Sequence, residues 1–374
     1  MAKERANPLY RALDAWLGPP LVLCAGLFKG RGGRPKRLAS LAALCLGCIG
    51  DTILLSGPLA DLARAHPGCR ITLFATSANA ETAHLLPAVS EVVTLPLTRP
   101  DLALRLLRQA GPFDALLDFG QWARISALFS AAARAEFKAG FQTPGQHRHY
   151  AFHAVAEHRT DRHEIDNFRA LAALLGAEGR AAPHLVLPAH AGEQDVPVGP
   201  FAVLHPYPGG SRSLMKEWPL ERWLETARAL RSRGLEVIVT GGPADVQRAA
   251  ALARACQDPG IRSLAGLPLI RTAQLLQQAA VVVSVDTGVM HLAAALGTPL
   301  AALHGPTSPA CWGGLGPAPE RIAALQSPAR SCAPCLRLGF EHHCPDNACM
   351  REISVESVLQ AVDTLLRQDQ RDKP

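Results

Sequence analysis

Twice along the chain, short apolar runs alternate with helix-length segments, and a polar, proline-bearing stretch separates the two series. The first series opens at LASLAALCLG (38–47), followed by an amphipathic segment from Thr52 to Ala65. RITLFAT (70–76), VSEVVTLPL (89–97) and ALLDFG (115–120) read as further strands. The second opens at FAVLHPYP (201–208). A helix from Leu220 to Arg233 leads to LEVIVTGG (235–242), and another runs from Ala244 to Ala255. The buried run VVVSV (281–285) precedes a helix over 287–297 that ends in glycine; TPLAALHG (298–305) and a helical segment from Val355 to Arg367 complete the series. Fully apolar runs between helices are what parallel strands covered on both faces require. The predicted class is therefore α/β, with two parallel-sheet domains facing a central cleft. Ligands of such sheets bind at the carboxyl ends of the strands. The predicted boundaries are a basic, apolar N-terminal arm over 1–37, a first sheet domain over 38–185 and a linker over 186–200. A second sheet domain follows over 201–354, with a closing helix and tail over 355–374.

A length of 374 residues suits about two domains, and 48% apolar with 19% charged residues is the balance of a globular protein rather than a disordered chain. The formal charge of +6 is concentrated at one end. Residues 1–38 hold eight Lys or Arg against Glu4 and Asp14, and the remaining chain is balanced at 30 of each sign. Aromatics are sparse, and no aromatic-interleaved basic stretch supports nucleic-acid binding. The arm's apolar run, Leu17 to Phe28, is interrupted by Gly18, Pro19 and Pro20. It is too short to span a bilayer and lacks a small-residue cleavage site. Apolar residues flanked by cations suit a helix on an anionic membrane surface, and equally an arm packed on the protein's own body. Cys24, Cys45, Cys48 and Cys256 stand isolated in apolar surroundings, as reduced cysteines of a cytoplasmic protein do.

Three loops carry residue types with chemical potential. The first, Gly47-Cys48-Ile49-Gly50-Asp51-Thr52, turns from a strand into a helix and sets Asp51 at the helix start. Aspartate there is also a favoured N-cap, which needs no catalytic role. The second runs from His205 through Gly209, Gly210, Ser211 and Arg212 to Lys216-Glu217-Trp218-Pro219. Its Gly-Gly-Ser turn offers backbone N–H groups to an anion beside two cations, although a surface loop with solvated cations looks similar. Trp218, before Pro219, is expected under the following helix. The third is Ser284-Val285-Asp286-Thr287-Gly288-Val289-Met290-His291. Here a buried strand ends and a helix begins at once, so the N–H groups of Thr287 and Gly288, with the helix dipole, suit a phosphate. His291 lies one turn on, on the same face as Thr287. A capping Asp286 and a core His291 are the plainer alternative. A diphosphate in the second domain opposite a carboxylate of the first is a group-transfer arrangement. The three loops hold no Asp-x-Asp pair, so the phosphates do not require a metal.

Gly-Asp-Thr after the first strand, Lys-Glu-Trp-Pro, Asp-Thr-Gly-x-x-His-Leu-Ala-Ala-Ala-Leu-Gly-x-Pro and His-Gly-Pro-Thr together resemble the heptosyltransferases of lipopolysaccharide assembly, glycosyltransferase family 9. The resemblance covers roughly residues 38–365, and its motif at 286–299 with 304–307 is the most specific part. It implies a GT-B fold of two Rossmann-like domains. It also implies inverting, metal-independent transfer from a nucleotide diphosphate sugar such as ADP-heptose to a lipid-linked oligosaccharide acceptor, with no cofactor. By position, Asp51 becomes the general base and Lys216 a donor-phosphate contact, while Asp286, Thr287, Gly288 and His291 cradle the donor. Two features depart from the pattern: the loop from Tyr207 to Met215 is longer, and the cationic arm is additional. A nucleotide-sugar epimerase of the same fold and an inactive sugar-nucleotide binder are the other readings. The first lacks identifiable extra acid/base groups, and the intact Asp51 argues against the second.

Cys332-Ala-Pro-Cys335, with Cys344 and Cys349 downstream and His342 and His343 between, has the residue types of a structural zinc site. The spacing is not that of a standard finger, and reduced thiols or a disulfide suit it as well.

Overall fold

A computed structural model describes residues 8–27, 29–30, 32–189, 196–210, 213–327, 332–337, 340–341, 344 and 346–371. Ser211, Arg212, His342 and His343 lie outside the described residues. The chain divides into two compact units, Met1–Val186 and Leu187–Pro374.

The first unit carries strands β1 (Ser40–Leu44), β2 (Arg70–Ala75), β3 (Glu91–Thr94), β4 (Phe113–Asp118), β5 (Ala135–Gln142) and β6 (Ala154–Glu157). They form one sheet in the order β3-β2-β1-β4-β5-β6, parallel throughout. Its helices are α1 (Pro8–Leu27), α2 (Ile49–Ala65), α3 (Pro100–Ala110), α4 (Arg124–Ala132) and α5 (Glu164–Ala173). The second unit repeats the plan with β7 (Phe201–His205), β8 (Glu236–Val239), β9 (Ile261–Ser263), β10 (Val281–Val285), β11 (Leu300–His304) and β12 (Ile322–Gln326). The order is β12-β11-β10-β7-β8-β9, again parallel. Around it lie α6 (Leu220–Ser232), α7 (Val246–Ala255), α8 (Leu269–Gln278), α9 (Gly288–Ala295) and α10 (Val355–Arg371). Each unit is a doubly wound Rossmann-type sheet. In each, the chain starts in the middle and winds first one way and then the other. This leaves a switch point between the first and fourth strands, where the following loops diverge and open a crevice.

Sequence and structure part at four places. Strands β5, β6, β9 and β12 had no counterpart in the sequence reading. AEFKAGFQ and IAALQ mix polar and apolar residues, and their pairing comes from neighbours distant in sequence. Helix α2 begins at Ile49, three residues earlier than expected, with Cys48 as its N-cap. Helix α1 runs straight through Pro19 and Pro20, although each proline removes a helical hydrogen bond. Cys45 and Cys256 are buried, whereas Cys24 and Cys48 are exposed. No helix among the described residues is long and apolar enough to cross a membrane.

One charged pair organises the carboxyl end of the first sheet. Arg148 donates to Asp118 at 2.9 Å, and both side chains are 0% exposed. The same guanidinium donates to Ser126 at 2.9 Å and to the Gly120 carbonyl, while Ser130 donates to the same Asp118 oxygen at 3.1 Å and the Gly120 amide to the other oxygen at 2.8 Å. Removing one partner strands a buried charge. Arg148→Met is expected to lower the protection of the β4 and β5 amides by about 3–5 kcal/mol in hydrogen exchange. The double variant with Asp118→Asn is expected to recover part of that loss. Unchanged protection in Arg148→Met would show that the pair is dispensable.

Candidate active site

In the second unit, β7, β10 and β11 lie side by side and end together. Ser284 is in register with His205, and the Asp286 amide donates to Leu303 at 3.2 Å. This brings His205, Asp286 and His304 to one edge of the sheet at its switch point. Asp286 is 7% exposed. Burial drives its carboxyl toward the neutral form. Lys216, then His304 and His291, with a hydrogen bond from Thr307, outweigh that and hold it below the ordinary carboxylate value. Lys216 ends a short 3₁₀ turn, Ser213–Lys216. Its Nζ donates to the Asp286 carbonyl at 3.0 Å and lies 3.5 Å from the carboxylate.

Thr287 is the N-cap of α9, and its side chain makes no capping bond. The first amides of this helix carry its positive dipole end toward the strand edge. His291 is buried, and its amide donates to the Thr287 carbonyl at 3.4 Å, one turn into α9. Asp286 is therefore not the cap; it precedes it. Gly209 and Gly210 are exposed beyond β7. Gly210 has φ +91°, which only glycine adopts readily. His205 is buried and bonded to Thr240 at 2.9 Å, and burial lowers its pKa to about 4, so it adds no charge at neutral pH. Beside it Tyr207 carries the Arg248 guanidinium 4.5 Å from its ring centre, and burial pushes its phenol up to about 12. Trp218 packs under α6, edge-on to Trp223 at 5.1 Å and donating to the Ile353 carbonyl.

In the first unit Asp51 lies in the first turn of α2, three positions past the N-cap Cys48, and is half-buried. The preceding turn fits closely around it. A Cβ on Gly47 would lie 3.1 Å from the Asp51 carboxylate. Burial and then the nearby Asp51 charge push the Cys45 thiol up to about 12. Thr52 bonds the Cys48 carbonyl and receives Asn79, which also bonds the Cys45 carbonyl at 2.8 Å. This network fixes the turn between β1 and α2. Asp51 thus sits at the switch point of its own sheet, next to the end of β4, where the Phe119 amide donates to Leu44.

The structure brings Lys216, Asp286, Thr287, Gly288 and His291 together, and adds His304 and Thr307. The sequence reading quoted these last two within His-Gly-Pro-Thr but gave them no role. The signal was the strand end itself, since a histidine closing a buried run beside Asp286 must face the same edge.

Among the described residues no group of three or more His, Cys, Asp or Glu side chains is placed to hold a metal ion. Cys332, Cys335, Cys344 and Cys349 form no disulfide and lie within electrostatic reach of one another. Cys332 is exposed, while Cys349 is buried against the Gly305 backbone. Cys335 and Leu336 both donate to the Pro306 carbonyl at 2.9 Å. Burial, with the neighbouring Cys344 and Cys332, raises the Cys335 pKa. The cluster therefore braces the turn that carries Thr307.

Two doubly wound domains, with a helix start beside a lysine–aspartate pair at one switch point, are the framework of a glycosyltransferase of the GT-B class. The comparisons narrow this further. The sequence model of glycosyltransferase family 9 (heptosyltransferase) matches residues 102–343, and the chain belongs to that family. Lipopolysaccharide heptosyltransferase 1 of Escherichia coli strain K12 is 28% identical over 293 residues, 72% of this chain and 88% of that protein. The protein of the same name from Pseudomonas aeruginosa is 36% identical over 143 residues, and that match spans 38% of each chain. The solved structure of E. coli ADP-heptose lps heptosyltransferase II superposes with a TM-score of 0.70 at 21% identity, covering 88% of this chain and 99% of that one.

Because the folded Asp286 carboxyl titrates below its unfolded value, its charge stabilises the fold above about pH 4. That contribution disappears as the pH falls through the lower, folded value. Lys216→Met removes its strongest cationic neighbour and leaves burial dominant. Carbon-detected NMR is then expected to show Asp286 titrating higher in Lys216→Met than in the wild type. An unmoved Asp286 titration would transfer the credit from Lys216 to the two histidines.

Proposed function

We propose that this protein is an inverting, metal-independent heptosyltransferase that uses ADP-heptose and a lipopolysaccharide core or related lipid-linked oligosaccharide. It would work in the cytoplasm, at the inner face of a bacterial inner membrane. The observation that carries this reading is the Lys216–Asp286 pair at the start of α9. It combines a cation with the amide end and dipole of a helix where a diphosphate leaving group would need them.

In this reading the acceptor hydroxyl attacks the anomeric carbon of the donor as its proton passes to Asp51. The new oxygen–carbon bond forms on the face opposite the diphosphate, and the bond from the anomeric carbon to the phosphate oxygen breaks. ADP departs with the electron pair, met by Lys216 and the first amides of α9. One carboxylate acts as base and no second nucleophile takes part, so the anomeric configuration inverts. Lys216 and the helix start supply the charge neutralisation that a metal provides elsewhere. The Gly209–Gly210 turn, with Ser211 and Arg212 next in sequence, supports a second contact to the donor.

Two variants separate the roles. Asp51→Asn is expected to lower kcat by about 10²–10⁴-fold with donor affinity unchanged by calorimetry, as loss of a general base should. Lys216→Met is expected to weaken ADP-heptose binding about 10–100-fold, the value of one charge-assisted hydrogen bond. Full transfer by Asp51→Asn would remove residue 51 from the mechanism. Unchanged stabilisation of the protein by ADP-, UDP- and GDP-sugars alike would count against a nucleotide-sugar substrate altogether.

A further inference from the structure

The structure assigns α1 as the docking face that seats the first unit on an anionic lipid surface; this rests on the lipid-linked acceptor of the proposed function. Leu13, Trp16, Leu17, Leu21, Leu23 and Leu27 are all exposed, with Trp16 at 82%. At 3.6 residues per turn these positions share about 160° of the helix circumference. The whole of α1 contains two charged residues, Arg11 and Asp14. A continuous exposed apolar stripe of this kind marks an interaction surface.

The opposite face is fastened to the body, so the helix cannot roll to hide its stripe. Asp14 pairs with Arg124 at 2.7 Å and caps its amide at 2.9 Å. Gly18 lies directly against the Arg124 side chain, and Gly26 against the Tyr150 carbonyl. Val22 is fully buried with Ala127, Ala151 and Phe152. Lys29 donates to the Tyr150 carbonyl at 3.2 Å and ties down the far end. Small residues at 18 and 26 and a single buried valine on one side, with leucines and a tryptophan on the other, reverse the usual arrangement of a surface helix.

Charge decides the occupant. Arg34, Lys36 and Arg37 are exposed just beyond α1, and residues 1–38 carry the protein's whole surplus of six positive charges. A second copy packed stripe to stripe would bring two such basic segments together, which like-charge repulsion opposes. An anionic bilayer instead accepts the leucines and tryptophan at its acyl boundary and the cations at its headgroups. The docking face also lies at the useful end of the unit. Helix α1 is clamped to the start of α4, four residues beyond Gly120, at the carboxyl end of β4. That strand pairs with β1, whose following turn carries Asp51. A lipid-anchored acceptor held in the same surface would have its sugar delivered toward that edge.

The test uses the full-length protein with vesicles of phosphatidylglycerol and phosphatidylcholine. Co-sedimentation with the mixed vesicles is expected, with release as salt rises and little binding to phosphatidylcholine alone. Trp16 should be quenched by brominated lipid, and Trp16→Phe should remove that component. Leu17→Glu/Leu21→Glu is expected to weaken vesicle binding at least about tenfold. Its turnover of a soluble, delipidated acceptor sugar should stay at the wild-type rate. If the double variant folds poorly, the quenching of Trp16 in the wild type decides alone. Wild-type protein left in the supernatant, or an unquenched Trp16, overturns the assignment. So does a dimer that only the double variant dissociates, which would make the occupant a second copy. Activity on the soluble acceptor is read separately, so loss of vesicle binding leaves the transferase reading standing, and loss of turnover in the wild type would defeat that reading instead.

Discussion

A carboxylate at the end of β10 stays ionised inside the protein because Lys216, His304 and His291 surround it. A buried acid would otherwise take up a proton. With Asp286 charged, the ammonium of Lys216 has a fixed partner and is held beside the first amides of α9 rather than trailing in solvent. That one interaction therefore places a cation, orders the end of the Ser213–Lys216 turn and keeps the helix start open toward a ligand. His304 closes the arrangement from the neighbouring strand and His291 from α9, and Thr307 reaches the carboxylate from the turn that Cys335 and Cys349 pack against. The switch point of the second unit is built outward from this pair.

The two units solve the same problem with different chemistry. Both are doubly wound sheets, and both place their motif residues where the winding reverses. In the second unit the switch point gathers positive potential around an ion pair. In the first it holds two acids, Asp51 in the opening turn of α2 and Asp118 at the end of β4, the latter paired with Arg148. The two acids differ in accessibility. Asp118 is sealed by Arg148, Ser126 and Ser130 and holds the loops at the sheet edge in place. Asp51 is half-buried, with Gly47 leaving its carboxylate room. Burial thus divides a sealed acid from one that solvent reaches, although both stand at the carboxyl ends of adjacent strands.

Helix α1 adds a layer to the first unit. A helix normally turns its leucines inward. Here glycines at 18 and 26 allow close approach to Arg124 and Tyr150, and the large apolar residues are left outside. The Asp14–Arg124 pair makes this orientation durable, because reversing it would break a half-buried ion pair and press larger side chains against Arg124 and Tyr150, where only glycine fits.

The candidate site residues were legible in the amino-acid order. Asp51, Lys216, Asp286, Thr287, Gly288 and His291 each sit where an apolar run meets a helix or a turn, and such local junctions leave a local signature. The central strands were legible for the same reason: a run such as VVVSV has no other stable place than the middle of a covered sheet. Strands β5, β6, β9 and β12 were not, since their sequences carry polar residues and owe their form to partners far along the chain. Nor could residue order reveal that Asp118 is silenced by Arg148, thirty positions away, that His304 and Thr307 join Asp286, or which face of α1 is held down. Local sequence determines where the backbone turns and what is offered there. Only the tertiary structure decides burial, and burial determines which charges are neutralised, which stay available, and which apolar face is left to meet a surface.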